Sequence, residues 1–132
     1  MHVVIVGGGA AGMMAALAAA ESGAQVTVLE RNPRVGKKLL MTGNGRCNYT
    51  NTHAADPVHY HGLDRTGIES VLSSMTVDAL IDLFARLGIS PLIEEADRVY
   101  PRSEQAASVL DALRFSLGEL GVTIQCDTEV PG

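Results

Sequence analysis

The residues best suited to chemistry come at the start of the chain. Gly7-Gly8-Gly9-Ala10-Ala11-Gly12 fits G-x-G-x-x-G, and an acid, Glu30, follows about 20 residues later. In such a pattern Gly7 permits a tight turn, Gly9 lets a pyrophosphate reach the backbone, and Gly12 lets a helix lie close to a strand. The first-turn amides of that helix, at Ala10 and Ala11, offer unpaired N–H groups and a positive dipole end to phosphates. Glu30 is placed to accept both ribose hydroxyls of an adenosine. The chemistry these residues point to is dinucleotide binding. Glu30 repels a 2′-phosphate, which disfavours NADP at this motif, although the neighbouring Arg31 keeps that option open. FAD and NAD remain.

A glycine pattern of this kind means little unless a strand leads into it and a helix leads out. Val3 to Val6 is a short β-branched run, expected to be a strand buried on both faces. Met13 to Ser22 is Ala-rich and helix-favouring, and Gly23 stops it as a C′ glycine does. Gln25 to Leu29 is a second β-branched strand ending at the acid. The small residues Ala16 and Gly23 also fit the longer fingerprint typical of FAD-containing flavoproteins, so the segment resembles an FAD site more than an NAD site. A signal peptide is the competing reading. No Lys or Arg precedes the apolar run and three adjacent glycines interrupt it, which argues against that reading. The same glycines and Glu21 leave too short an apolar length for a membrane span.

A second unusual stretch follows the turn Asn32 to Gly36. Lys37 to Met41 leads into Thr42-Gly43-Asn44-Gly45-Arg46-Cys47-Asn48, rich in Gly, Asn and Thr. Taken alone it reads as a loop. Because it directly follows the ribose-binding acid, it is expected to run past the cofactor. Its amides at Gly43 and Gly45, with Arg46, Lys37 and Lys38, could then hold phosphates or a flavin edge.

The opening glycines, Gly36-Lys37-Lys38-Leu39-Leu40-Met41-Thr42-Gly43-Asn44-Gly45-Arg46-Cys47-Asn48, and Arg98-Val99-Tyr100-Pro101 together resemble a family of microbial flavoproteins. These are described as NAD(P)/FAD-dependent or aminoacetone-oxidase-like FAD-binding oxidoreductases, and a 3-dehydro-bile-acid reductase is related to them. The resemblance spans residues 1–132 and corresponds to the N-terminal third or so of a family member. It implies an FAD site carried by Gly7, Gly9, Gly12, Glu30 and the loop Lys38, Leu39, Thr42, Gly43, Asn44, Gly45, Arg46, Cys47 and Asn48. It also implies that a residue near Val130 meets the adenine. A substrate domain and a second flavin-contacting segment are expected to lie outside the chain. The resemblance brings a cofactor and a reaction type, not a substrate.

Bulk composition narrows the alternatives. Apolar residues make up 46% and charged residues 19%, which argues against disorder. Aromatics are 4%, leaving little stacking surface for single-stranded nucleic acid, and the net charge of −5 disfavours nucleic acid and acidic membranes as partners. Cys47 and Cys126 show neither C-x-x-C nor zinc spacing, so they read as reduced thiols of a cytoplasmic protein. His53, His59 and His61 lie in a connector with no diagnostic ligand spacing even with Asp56 and Asp64, so no metal site is expected.

Downstream, Thr66 to Ser74 has helical spacing. Thr76 can cap a second helix with Asp78 in its first turn, an apolar stripe of Val77, Leu80, Ile81, Phe84 and Leu87, and Gly88 at its end. That stripe is expected to be core. Pro91 to Glu95 and Arg98 to Tyr100 suggest a hairpin, with Glu94, Glu95 and Asp97 as a solvated acidic face. Ser103 is expected to cap a further helix with Val109, Leu110, Leu113, Leu117 and Leu120 as its stripe. Gly121 ends it, and Val122 to Cys126 is expected as a third parallel strand.

The fold expected is α/β: a Rossmann-like FAD/NAD(P)-binding βαβ unit with a parallel sheet, helical and hairpin insertions, incomplete at the C-terminus. The function expected is the FAD-binding portion of an oxidoreductase that moves hydride between NADH or NADPH, or an organic substrate, and an acceptor. By itself the chain is expected to bind FAD weakly and not turn over. The alternatives are a non-catalytic ADP- or dinucleotide-binding module and, disfavoured by the acidic balance, a flavin-dependent RNA-modifying enzyme. No catalytic acid or base stands out. Cys47 is the arguable candidate, and a small packing residue is the favoured reading of it.

Overall fold

The computed structural model describes residues 1–62 and 64–131. Strand β1 (His2–Val6) leads through the glycine turn into helix α1 (Ala10–Glu21), and β2 (Gln25–Leu29) returns parallel to β1 with His2 opposite Gln25 and Val6 opposite Leu29. A 3₁₀ segment (Leu39–Gly45), strand β3 (Thr50–Asn51) and a 3₁₀ turn (Pro57–His59) follow. Helices α2 (Arg65–Ser74) and α3 (Val77–Arg86) precede a hairpin of β4 (Pro91–Ile93) and β5 (Arg98–Pro101). Helix α4 (Ala106–Glu119) then delivers β6 (Thr123–Gln125) to the free side of β2.

Two small sheets result. The first is parallel, ordered β1-β2-β6, with the acid-bearing strand in the middle. The second is antiparallel, ordered β3-β5-β4. Parallel strands need a crossover, and helices supply it while covering one sheet face. Val26 and Val28 of β2 are buried there against Met13, Ala16 and Leu17 of α1 and Val109, Leu113 and Leu117 of α4. Helix α3 adds Leu83 and Phe84 to the same core, and Leu83 is one residue the expected stripe omits. Thr76 caps α3 as expected, accepting from the Ala79 N–H at 3.1 Å. The helix stops read at Gly23, Gly88 and Gly121 also fall where expected.

Two expectations are corrected. Strand β1 is not buried on both faces of the described chain, because Val4 and Val6 remain 53% and 66% exposed while Val3 and Ile5 pack against the core. Ser103 does not cap α4, which starts at Ala106 with Gln105 as its N-cap. Glu104 takes a left-handed backbone (φ +54) and breaks helical geometry just upstream. The Ser103 hydroxyl instead accepts from the Gln105 N–H at 3.3 Å and meets Ser108 Oγ.

Candidate nucleotide and flavin site

The glycine turn is held by bonds to both sides. The Gly7 N–H donates to the Leu29 carbonyl at 2.7 Å with φ at +101, a conformation that favours glycine. Gly9 is the N-cap of α1. A Cβ on Gly12 would stand 1.9 Å from the Gly7 carbonyl oxygen, so the expected close helix–strand approach is present and leaves no room for a side chain. The middle glycine, unassigned in the sequence pattern, turns out to be the most connected. A Cβ on Gly8 would lie 2.4 Å from Val35 Cγ1, its carbonyl accepts from the Gly36 N–H at 2.8 Å, and its own N–H donates to Glu30 Oε2 at 2.8 Å.

Glu30 is 8% exposed. Its Oε1 accepts from the Asn32 N–H at 2.8 Å and from Asn32 Nδ2 at 2.6 Å. These donors, led by the Asn32 backbone N–H, hold the carboxyl below the usual carboxylate range although burial pushes the other way. A carboxylate offers about four acceptor positions, and three donors already occupy this one. The strand ends are tied around the acid: the Glu30 N–H donates to the Gln125 carbonyl at 2.8 Å, and the Thr128 N–H donates to the Glu30 carbonyl at 2.9 Å. Val130, two residues beyond Thr128, lines the cavity beside Glu30.

Two cavities flank the turn. The first, about 600 Å³, is lined by Gly8, Glu30, Arg31, Lys37, Met41 and Val130 among others. The second, about 650 Å³, is lined by Ala10, Gly12, Thr42, Cys47, Asn48 and Phe84 among others. Both are walled by Val6, Gly7, Gly9 and Lys38, so they meet over the glycines. A Cβ at Gly9 would meet no atom within 4 Å, so the space above this backbone is open. The pair suits a ligand with a sugar at the acid, a diphosphate over the helix N-terminus and Lys38, and a largely apolar ring beyond.

The second stretch divides. Ala11, Lys38, Leu39, Thr42, Cys47 and Asn48 line the second cavity. Gly43, Asn44, Gly45 and Arg46 line neither cavity. Arg46 turns to the hairpin instead: its Nη2 meets Glu94 Oε1 and, at 2.6 Å, Glu104 Oε1, while its Cζ sits 4.2 Å from the Tyr100 ring centroid. The guanidinium holds the Glu94 carboxyl below its usual range. The acidic patch is therefore not a uniformly solvated face, since Glu94 is paired and Asp97 lies 3.3 Å from His53. Among the described residues no three His, Cys, Asp or Glu side chains converge as a metal site.

Cys47 is 4% exposed, and burial pushes its thiol up while Thr42 pulls it down. A neutral buried thiol is a poor nucleophile, which supports its packing role. Sequence reasoning missed the ring end of the second cavity. Tyr49 stacks on Phe84 with centroids 4.6 Å apart, and both line the cavity with Leu80, Val109 and Leu113. Phe84 was expected as core and is buried, but it also forms a cavity wall. Helical spacing marks such residues as buried without saying against what.

A family model described as "HI0933-like protein Rossmann domain" matches residues 1–132. A protein named 3-dehydro-bile acid delta(4,6)-reductase, from Clostridium scindens, is 44% identical over 131 residues that cover 98% of this chain and 32% of that protein. A ribosomal RNA dihydrouridine synthase from Haemophilus influenzae is 32% identical over 127 residues, covering 96% of this chain and 31% of that protein. The chain thus spans about a third of the length of the curated relatives it matches. In fold it is similar to a 3-ketosteroid-delta4-(5alpha)-dehydrogenase from Rhodococcus jostii, with a TM-score of 0.63 at 18% identity over 94% of this chain and 37% of that one. No helix among the described residues is long and apolar enough to cross a membrane.

Proposed function

The chain belongs to the family of HI0933-like protein Rossmann domains, and from that premise we propose that it is the FAD-binding portion of a flavin-dependent oxidoreductase. The observation that carries this reading is the pair of cavities joined over Gly7, Gly9 and Lys38. Glu30 would accept a ribose hydroxyl and Val130 would line the adenine's place in the first cavity. Gly9 and the first-turn amides of α1 would hold the diphosphate, with Lys38 as counter-charge. Thr42, Cys47 and Asn48 on one wall of the second cavity, and Phe84 on another, would hold the isoalloxazine end. A bare ADP binder would use the first cavity and leave the second without a purpose.

When bound, FAD supplies the hydride chemistry, and the protein's part is to bind, orient and exclude water. The names of the two curated relatives given above, a delta(4,6)-reductase and a dihydrouridine synthase, both describe hydrogen added across a carbon–carbon double bond. We therefore extend the proposal to reduction of such a bond in an organic substrate, with NADH or NADPH as electron donor. The Haemophilus relative favours a second reading, in which that bond belongs to a uridine of RNA. The net charge of −5 works against RNA for this portion of the protein.

The test is the visible spectrum of the purified protein, followed by anaerobic addition of each reduced nicotinamide. A flavin spectrum bleached by NADH or NADPH supports the oxidoreductase. A colourless protein stabilised by ADP alone supports the binding module instead.

A further inference from the structure

Arg46 lies at the boundary between two parts of the cofactor loop that differ in what they face. Cys47 and Asn48 form part of the second cavity's wall, whereas Gly43 to Arg46 form the loop's outer turn. That outer turn is wrapped on Tyr100, a buried residue of β5. A Cβ on Gly43 would stand 3.0 Å from Tyr100 Cε1 and 2.7 Å from the Asn48 N, so the backbone itself packs against the ring. The Arg46 guanidinium lies over the same ring at 4.2 Å and meets two carboxylates that come from different places. Glu94 follows β4, and Glu104 precedes α4 in a left-handed conformation that non-glycine residues seldom adopt. The Arg46 Nε is buried with no hydrogen-bond partner among the described residues, while the side chain as a whole stays 30% exposed. Beyond the loop, the Tyr49 N–H donates to the Val99 carbonyl at 3.0 Å and fixes the exit to the same strand.

We infer that Arg46 is a positioning residue: by bridging Glu94 and Glu104 across the Tyr100 ring, it latches the loop so that Cys47, Asn48 and Tyr49 present a fixed wall to the flavin end of the cofactor. Arginine suits this task because its planar guanidinium stacks and bridges at once, whereas lysine offers only a point charge. The inference deepens the FAD reading and rests on it for the identity of what the wall meets. The latch itself rests on the contacts alone.

The test uses the purified protein in a Cys126→Ser background, which leaves Cys47 as the reporter thiol among the two cysteines of the chain. FAD affinity is measured by quenching of flavin fluorescence, Cys47 exposure by the rate of alkylation, and folding by thermal melting. Arg46→Lys is expected to weaken FAD binding at least about tenfold and to raise Cys47 alkylation by a similar factor, as loss of a support behind a binding wall does. The milder Glu104→Gln, which leaves Glu94 in place, is expected to move both readouts in the same direction by about threefold. It decides the matter if Arg46→Lys does not fold. A lowered melting temperature with unchanged FAD affinity and still-protected Cys47 would overturn the latch. If the parent protein binds no FAD, the FAD reading fails, and Cys47 alkylation alone judges the latch.

Discussion

The turn Gly7 to Gly12 and the block Lys37 to Asn48 border the same two cavities, and both depend on glycine, yet they are built differently. The first is held by near neighbours: β2 accepts the Gly7 N–H, Val35 and Gly36 close over Gly8, and Gly12 lies against Gly7 itself. The second is held from a distance, by a hairpin and a helix start that arrive some fifty residues later, with Arg46 and Glu94 separated by 48 positions. A ligand over the first turn meets amides that the βαβ unit fixes in any case. A ligand against the second meets a wall whose position depends on the rest of the chain. The nucleotide half of the site is therefore expected to tolerate changes in the insertions, and the flavin half to be sensitive to them.

The largest effect is expected at Gly12→Ala. The new Cβ would fall 1.9 Å from a backbone oxygen, and backbone cannot give way as a flexible side chain does. The stability loss in urea unfolding is expected to be about 3 kcal/mol or more, at the upper end for overpacking. A loss below about 1 kcal/mol would mean that the helix and strand can separate, and that the first turn is no more fixed than the second.

Glu30→Gln comes next. It places a side-chain NH₂ among donors and removes the charge that Gly8 and Asn32 solvate. The cost is expected to be about 2 kcal/mol, the range for hydrogen bonds to a charged group. The sign of its pH dependence follows from the same contacts. The folded carboxyl titrates below its unfolded value of roughly 4.3. Its stabilisation is therefore complete above that value and is lost as pH falls through the lower folded value. Melting temperature against pH should fall at acid pH in the parent and less steeply in the variant. Parallel curves would show that Glu30 is not held as its contacts imply.

Thr76→Ala should have the smallest effect. It removes the cap that accepts from Ala79 and lies in the insertion, so it is expected to cost about 1 kcal/mol in chemical unfolding. Nucleotide affinity at the glycine turn should not change. A loss of ADP affinity would join the two halves of the site more tightly than the contacts do.

How far the sequence carried depended on this same difference. The β1-α1-β2 unit was legible because each of its signals is local: β-branched runs, a glycine at each bend and an acid at a strand end. The motif does not mark Gly8 because its partners lie outside it: Val35 packs over it and the Gly36 N–H donates to its carbonyl. In the sequence Arg46 resembles a cofactor ligand, because a cation beside glycines in a loop offers phosphate chemistry. Only the hairpin reveals that Glu94 and Glu104 claim it first. Ser103 had the right chemistry for a cap, but the helix begins three residues later, after the left-handed Glu104. The exposed face of β1 could not be foreseen either, since an apolar strand looks the same whether or not this stretch of chain covers it.

The most direct test of the central claim, that one FAD spans both cavities across the glycine turn, is a titration of the protein with FAD in the presence of increasing ADP, repeated with Gly9→Ala. The account predicts one FAD per chain, displaced competitively by ADP, and bound at least about tenfold more weakly by the variant, whose Cβ enters the open space over the turn. FAD that binds undisturbed by saturating ADP, with equal affinity for both proteins, would contradict it.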